Sequence, residues 1–525
     1  MAGRPNILLI MNDDMGYSDI GCYGGEVLTP NLDRLAANGL RLTQFYNTAR
    51  CCPTRASLLT GLHPHQASVG HMMDDREYEG YRGDLNFKSV TIAEALKTAG
   101  YATYMSGKWH ITRHIGAEGP KHSWPRQRGF DRFFGIITGA ANFWKPQTLT
   151  RENERITVDE FPEDFFFTDA ISDQAADYVR EHAQGEGDEP FFLYTAYTAP
   201  HWPLHAHEED IAKYEGRFNS GWDQLREERL ARMREMGILK PEWGLSDRDP
   251  SQVPWEEAED KEWQQKRMEV YAAQIDRMDQ GIGRILEALE ETGQLDNTLI
   301  MFLADNGGCA EELGGGMRNP DIAPVTTRDG RDVQRGNDPS VMPGPETTYQ
   351  SYGIPWANVS NTPFKLYKHW VHEGGIATPF IVHWPDKVTD KGALRKQPGQ
   401  LTDVMATCLD VAGAEYPETY NGNDILPLEG TSLTSIFDDE DNGKEYLIWE
   451  HEGNGAVRKG KWKLVKRFPG DWELYDIEAD RSELNNLVNE QADVVTELSA
   501  IYDAWGERCM VEPWDNIIAK RKQNR

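Results

Sequence analysis

The chain has 525 residues, of which 39% are hydrophobic and 27% charged, and a net charge of −31; this is the composition of a globular protein with room for one large domain and a smaller one. The acidic balance excludes nucleic acid as a partner, because counterion release needs a basic surface. It also repels anionic ligands at long range, so any anionic substrate must be captured by cations gathered in a pocket. No window is apolar for long enough to cross a bilayer, and the first apolar run, Ile7–Met11, is too short for a signal-peptide core. The chain as it stands reads as cytoplasmic, or as periplasmic or secreted after removal of a signal peptide, with no membrane partner.

Short β-rich apolar runs alternate with amphipathic helices, the pattern of an α/β fold with a largely parallel sheet. Strands are predicted at Asn6–Met11, Ala102–Met105, Phe191–Tyr197, Thr298–Leu303 and Pro379–His383. Met268, Ala272, Ile275, Met278, Ile282, Ile285 and Leu289 recur at helical spacing and predict a helix ending near Gly293. Two stretches read as insertions. Glu208–Glu262 is charged, with a short helix around Trp222–Met236, and Glu311–Ser360, rich in Gly, Pro, Asn and Asp, reads as a long loop. After the acidic run Asp438–Gly443 the pattern changes: Ala456–Lys466 and Trp472–Ile477 alternate like antiparallel strands, and Ala492–Trp505 reads as a helix. The predicted division is a large domain over 1–437 and a small α+β domain over 438–525.

Open α/β sheets bind ligands beyond the carboxyl ends of their strands, and four predicted strands are followed by polar groups. Asp13 and Asp14 follow the first, Lys108 and His110 the second, His201 the third, Asp305 and Asn306 the fourth. Each motif alone has an ordinary explanation: Asp-Asp and Asp-Asn-Gly-Gly make turns, and a histidine beside a tryptophan packs. Their shared position makes them one candidate site. Asp13, Asp14, Asp305 and Asn306 form an all-oxygen donor set, suited to Ca²⁺ or Mg²⁺ rather than zinc, and Ca²⁺ tolerates irregular ligand sets better.

The six cysteines (22, 51, 52, 309, 408, 509) lack the spacing of a disulfide framework. Cys51 and Cys52 are adjacent and precede Pro53, which suits the first turn of a helix that Gly61 would end. A cysteine there meets free N–H groups, the helix dipole and Arg55, which favours either a thiolate nucleophile or an anion-binding cap. These considerations do not choose between the two sulfurs.

Cys51-x-Pro53-x-Arg55 with Leu59-Thr60-Gly61 resembles the signature of the type I, formylglycine-dependent sulfatases of the alkaline phosphatase superfamily. Further segments resemble that family in its order: Asn12–Gly16, Thr29–Leu35, Gly107–His110, Ala199–Pro203, Asp305–Gly307, and Lys368 with Glu373-Gly374-Gly375. The resemblance runs from about residue 5 to about residue 480 and is strongest to bacterial arylsulfatases. It implies a large mixed, mostly parallel sheet sandwiched by helices, and oxidation of the first cysteine, Cys51, to formylglycine by a transient maturation enzyme. Cys52 becomes the variable position and packs as a small hydrophobe.

The hydrated aldehyde would attack the sulfur of a sulfate monoester, and its second hydroxyl would then expel sulfate. By the same match, Asp13, Asp14, Asp305, Asn306 and residue 51 hold one Ca²⁺ per chain. Arg55 orients the diol, Lys108 and Lys368 neutralise sulfate oxygens, His110 is the candidate base on the diol, and His201 with Lys368 protonates the leaving oxygen. Lys365 competes with Lys368 for its role. Four positions depart from the family: Thr54 replaces a more frequent serine, Ile111-Thr112 a Leu-Gly pair, and Ala377 a common arginine. The implied substrate is a small-molecule or saccharide sulfate ester. A phosphonate monoester or phosphodiester hydrolase using the same aldehyde is the alternative. Trp144, Trp202, Trp356 and Trp370 are the candidates for an aromatic or sugar-binding wall, and oligomeric state is left open.

Overall fold

The computed structural model describes residues 3–523 apart from positions 186, 188, 317 and 318. The main sheet runs in chain order through β1 (Asn6–Asp13), β2 (Leu40–Tyr46), β3 (Ala102–Lys108), β4 (Arg132–Ile136), β5 (Leu149–Arg151) and β6 (Glu154–Arg155). It continues with β7 (Phe191–Pro200), β8 (Thr298–Ala304), β9 (Ala377–His383), β10 (Ala393–Arg395) and β11 (Gly399–Gln400). Across the sheet the order is β10-β2-β9-β8-β1-β7-β3-β4-β5-β6, with β11 pairing β2. The centre, from β8 through β1, β7 and β3 to β4, is parallel; β9 runs antiparallel to both β8 and β2. The sheet is thus mixed and mostly parallel.

Continuous apolar strands are what a sheet covered on both faces requires. Along β1, Leu8 and Ile10 join one core while Ile7, Leu9 and Met11 join the other. The first core is closed by α1 (Pro30–Ala37), α4 (Phe167–Ala183) and the long helix α6 (Lys261–Glu291). The second is closed by α2 (Cys51–Thr60), α3 (Ile92–Thr98) and α7 (Thr402–Ala412). The helix expected near Trp222 is α5, Gly221–Glu235.

The predicted strands are present; the first four are longer at their carboxyl ends, which puts Asp13 and Lys108 inside strands, and the fifth starts two residues earlier, at Ala377. Sequence reading missed β2 and β4, whose polar positions break the apolar run. Glu311–Ser360 is not wholly a loop. Gln334–Arg335 pairs with Thr348–Tyr349, and Gly353–Ser360 is a helix with Pro355 in its first turn, where a missing N–H costs nothing.

The C-terminal segment forms an antiparallel four-stranded sheet of β12 (Leu447–His451), β13 (Asn454–Lys459), β14 (Trp462–Lys466) and β15 (Trp472–Asp476). Its period-2 alternation serves two partners. Ile448, Val457, Leu464 and Leu474 pack under α8 (Ala492–Cys509), while Trp449, Ala456, Val465 and Tyr475 join the core of the large sheet. At that seam Glu373 is fully buried between Lys463 Nζ at 2.8 Å and Arg481 Nε at 2.8 Å, and Lys463 also meets Glu483 at 2.9 Å.

Burial alone would raise the Glu373 carboxyl, but Lys463 and Arg481 hold it at about 2 against the ordinary 4.5. A depressed carboxylate stabilises the fold fully above its unfolded value and loses that contribution as pH falls through the folded one. Glu373→Gln is expected to lower stability by ~3–5 kcal/mol, because the buried Arg481 loses its carboxylate and Lys463 one of its two. In denaturant titrations the loss should be largest above pH 4.5 and shrink toward pH 2.

Candidate active site

The parallel strands deliver their polar groups to one edge of the sheet. Asp13 ends β1 and Asp14 follows in left-handed backbone (φ 68°); Lys108 ends β3, with His110 two residues on (φ 56°). His201 directly follows β7, and Asp305 and Asn306 follow β8. Helix α2 points its N-terminus at the same place, starting at Cys51 and stopping at Gly61 in left-handed backbone (φ 66°). Lys368 arrives on the loop before β9. All these side chains are buried: Arg55, Lys108, Asp13, Asp305 and Asn306 are 0% exposed, His110, the most accessible, only 7%.

Three carboxylates and three cations interlock. Lys108 Nζ lies 2.5 Å from Asp13 Oδ2, and Arg55 Nη2 lies 2.9 Å from Asp305 Oδ2 and 3.9 Å from Asp13 Oδ1. Lys368 Nζ sits 2.8 Å from Asp14 Oδ1 and 3.5 Å from His201 Nε2. Arg55 Nη1 donates to the Lys108 carbonyl at 3.0 Å, Thr54 Oγ1 to the Asp305 carbonyl at 2.6 Å, and Asn306 Nδ2 to Asp14 Oδ1 at 2.7 Å. Burial, and next the charge of Asp13, push the Asp305 carboxyl well up. Asp14 is also pushed up by burial, but His201 and Lys368 bring it below the usual carboxylate value.

Two oxygens in this network have no hydrogen-bond partner although buried, Asp13 Oδ1 and Asn306 Oδ1. Buried acceptors are nearly always paired. An all-oxygen set with two orphaned acceptors fits a hard divalent cation.

The two cysteines differ in what they face. Cys51 lines a cavity of about 280 Å³ together with His110, His201 and Lys368, and its apolar walls are Met72, Met73, Ile115, Ile137, Ile322 and Trp202. Cys52 is fully buried behind it, its Sγ 3.5 Å from Met72 Sδ and 3.3–3.4 Å from the two ring nitrogens of His110. The Cys51 thiol is held well below its ordinary value, first by a hydrogen bond from Cys52 and then by Lys108 and His110 against desolvation. Burial pushes Cys52 up. The largest clefts, about 840 and 750 Å³, contain none of these residues, whereas an adjoining groove of about 510 Å³ shares Lys368.

Of the competing lysines, Lys368 enters the site, whereas Lys365 turns to Tyr475 (3.0 Å) and Glu473 (3.3 Å). Of the four tryptophans, only Trp202 lines this cavity. Trp356 is core (0% exposed), Trp144 borders the 750 Å³ cleft, and Trp370 lines a neighbouring groove.

Several site residues escaped sequence reading. Glu311, inside the stretch read as a loop, pairs with Arg50 at 3.0 Å and accepts from Trp202 Nε1 at 2.9 Å, closing one wall. Gly139 lies against His110, and a Cβ there would come 2.1 Å from the ring. Nothing in their spacing marks them, although an acid five residues after Asn306 was a legible candidate.

A family model described as Sulfatase matches residues 5–414, and one described as N-sulphoglucosamine sulphohydrolase, C-terminal, matches 364–502. The chain is 33% identical to an arylsulfatase of Klebsiella aerogenes, over 82% of this chain and 92% of that one. It is 32% identical to an uncharacterised sulfatase of Schizosaccharomyces pombe, over 98% and 96%. Among solved structures, Ps i-CgsB in complex with k-i-k-neocarrahexaose superposes with a TM-score of 0.67 at 26% identity, covering 96% of this chain and 92% of that one.

The orphaned oxygens give a direct test. Adding Ca²⁺ to chelator-treated protein is expected to raise the thermal midpoint, by the equivalent of ~2.7 kcal/mol at a hundredfold excess over Kd. Asp13→Asn or Asp305→Asn should abolish the rise.

Proposed function

Because the chain belongs to the sulfatase family and is a sulfuric ester hydrolase, we propose that it cleaves sulfate monoesters of small aryl or alkyl groups, with Cys51 converted to formylglycine as the nucleophile. The observation that carries this reading is the placement of Cys51. It lies at a helix N-terminus, facing a cavity with apolar walls on one side, and is ringed by Lys108, Lys368 and His110.

The hydrate of the aldehyde supplies two hydroxyls. One bonds to sulfur as the S–O bond to the organic group breaks, and deprotonation of the other expels sulfate and restores the aldehyde. A cation held by Asp13, Asp14, Asp305, Asn306 and residue 51 supplies Lewis acidity when bound. The remaining work falls to side chains. Lys108 and Lys368 are the ammonium groups available to the sulfate oxygens as charge develops. Arg55 anchors the helix start through Asp305 and the Lys108 carbonyl. His110 is the base nearest the diol.

For the leaving oxygen the tautomer of His201 matters. Its Nδ1–H donates to the Trp202 carbonyl at 2.7 Å, which leaves Nε2 facing the cavity, 3.5 Å from Lys368. Lys368, kept protonated beside Asp14, is the proton source for the departing alkoxide or phenoxide, and His201, whose Nε2 also lies 3.3 Å from Asp14 Oδ2, donates from Nε2 when its ring is imidazolium. The six apolar wall residues and the 280 Å³ volume favour a compact hydrophobic organic group over an oligosaccharide.

Peptide mass spectrometry of active protein is expected to find formylglycine at position 51, and an aryl sulfate should be turned over faster than an aryl phosphonate. Unmodified thiol in fully active protein, or the reverse substrate order, would overturn the reading. Lys368→Met is expected to cost ~10²–10³-fold in kcat, while Lys365→Met should leave kcat near the wild-type value, as steady-state kinetics on the same ester will show.

A further inference from the structure

Apart from the sulfate-handling residues, three imidazoles and a carboxylate converge where the β12–β13 hairpin meets the segment after Lys368. Glu452 is the hub. His71 Nε2 lies 2.5 Å from its Oε1, His369 Nδ1 3.0 Å from its Oε2, and His451 Nε2 3.9 Å from Oε1. One donor atom each from His369, His451 and Glu452 falls within 4.8 Å of the others. The rings of His71 and His451 stack at 5.6 Å, and His369 meets His451 edge-on at 5.6 Å.

Glu452 accounts for two of the rings: His71 donates to it from Nε2, and His369 Nδ1 faces its Oε2 as an ion-pair contact. Hydrogen bonding does not account for His451, which is 0% exposed and has no partner on either ring nitrogen. A neutral imidazole carries one donor and one acceptor, and burying both unpaired is rare. Desolvation holds His451 well below the ordinary imidazole value, so the ring is neutral with a free lone pair. Burial opposes ionisation of Glu452, but the hydrogen bond from His71 keeps it a carboxylate. These are the protonation states in which the two groups ligate metals.

We propose that His369, His451 and Glu452 form a second metal site, for a divalent cation that prefers imidazole, with Zn²⁺ the best fit. Two nitrogens and one carboxylate supply three ligands and leave a fourth position open. None of the three residues belongs to the oxygen-donor set of the active site. On loading, His369 and His451 each carry their proton on the nitrogen turned away from the ion. His71 stays outside the shell, donating from Nε2 to Glu452 Oε1 and accepting from Arg76 Nη2 on Nδ1 at 3.4 Å. Arg50 and Arg76 are the nearby cations opposing the ion; Arg50 is neutralised by Glu311 and Arg76 by Asp74. The bound ion would fasten the C-terminal hairpin to His369, whose backbone N–H donates to the Ala49 carbonyl at 2.7 Å, two residues before Cys51.

The test uses the whole protein, stripped with chelator and reloaded with Zn²⁺ in excess Ca²⁺. One zinc per chain should be retained, and X-ray absorption at the zinc edge should show an imidazole shell without sulfur. A sulfur shell would place zinc at Cys51, Cys52 and His110, and an oxygen-only shell at the aspartates; either result, or no retained zinc, overturns the proposal. His451→Ala and Glu452→Gln should weaken zinc binding by at least the ~10–100-fold that outer partners alone cost, while Ca²⁺ still raises the thermal midpoint. His369→Asn, at a partly exposed position, is the second variant should the buried ones fail to fold. A folded variant that keeps wild-type zinc affinity would also refute the site.

Discussion

Everything at the catalytic edge follows from holding Asp13, Asp14 and Asp305 together out of water. Three like charges in a buried cluster repel one another and forfeit their hydration, so the arrangement survives only with opposite charge packed among them. Arg55, Lys108 and Lys368 supply it, matching the carboxylates one for one. They come from a helix start, a strand end and a distant loop, so the balance exists only in the finished fold. A divalent cation entering alone would shift the local charge by two units, and a monoanionic ester entering with it brings the shift down to one.

The part of this that the sequence made legible is the part governed by local rules. Alternating apolar runs located the central strands, and the turn residues after them located Asp13, Asp14, His201, Asp305 and Asn306, because a parallel sheet presents the carboxyl ends of its strands together. Pro53 and Gly61 marked both ends of α2. The choice of Cys51 over Cys52 came from family resemblance, and in the structure Cys51 is the one that lines the cavity.

What stayed illegible depends on contacts between remote segments. Lys365 and Lys368 are equivalent by composition and differ only because Glu473 and Tyr475 take the first. β2 and β4 carry polar residues that meet partners outside the sheet, so their alternation is blurred. Glu311 and Gly139 line the site from segments with no motif. His71, His369, His451 and Glu452 are too scattered for any spacing rule; only the seam between the two sheets gathers them.

That seam has a consequence in time. Cys51 is 2% exposed; Lys368 lines its cavity, the next residue, His369, abuts Ala49 and meets Glu452, and Glu373 just beyond is held by Lys463 and Arg481, so late-made residues secure this segment. Under the proposed conversion of residue 51, the protein that carries it out meets a deadline. It has to act while the chain is still emerging or still open, before the C-terminal sheet docks. Folding speed and modification become competitors, and a mutation that merely hastens docking would leave a well-folded, stable and chemically inert molecule.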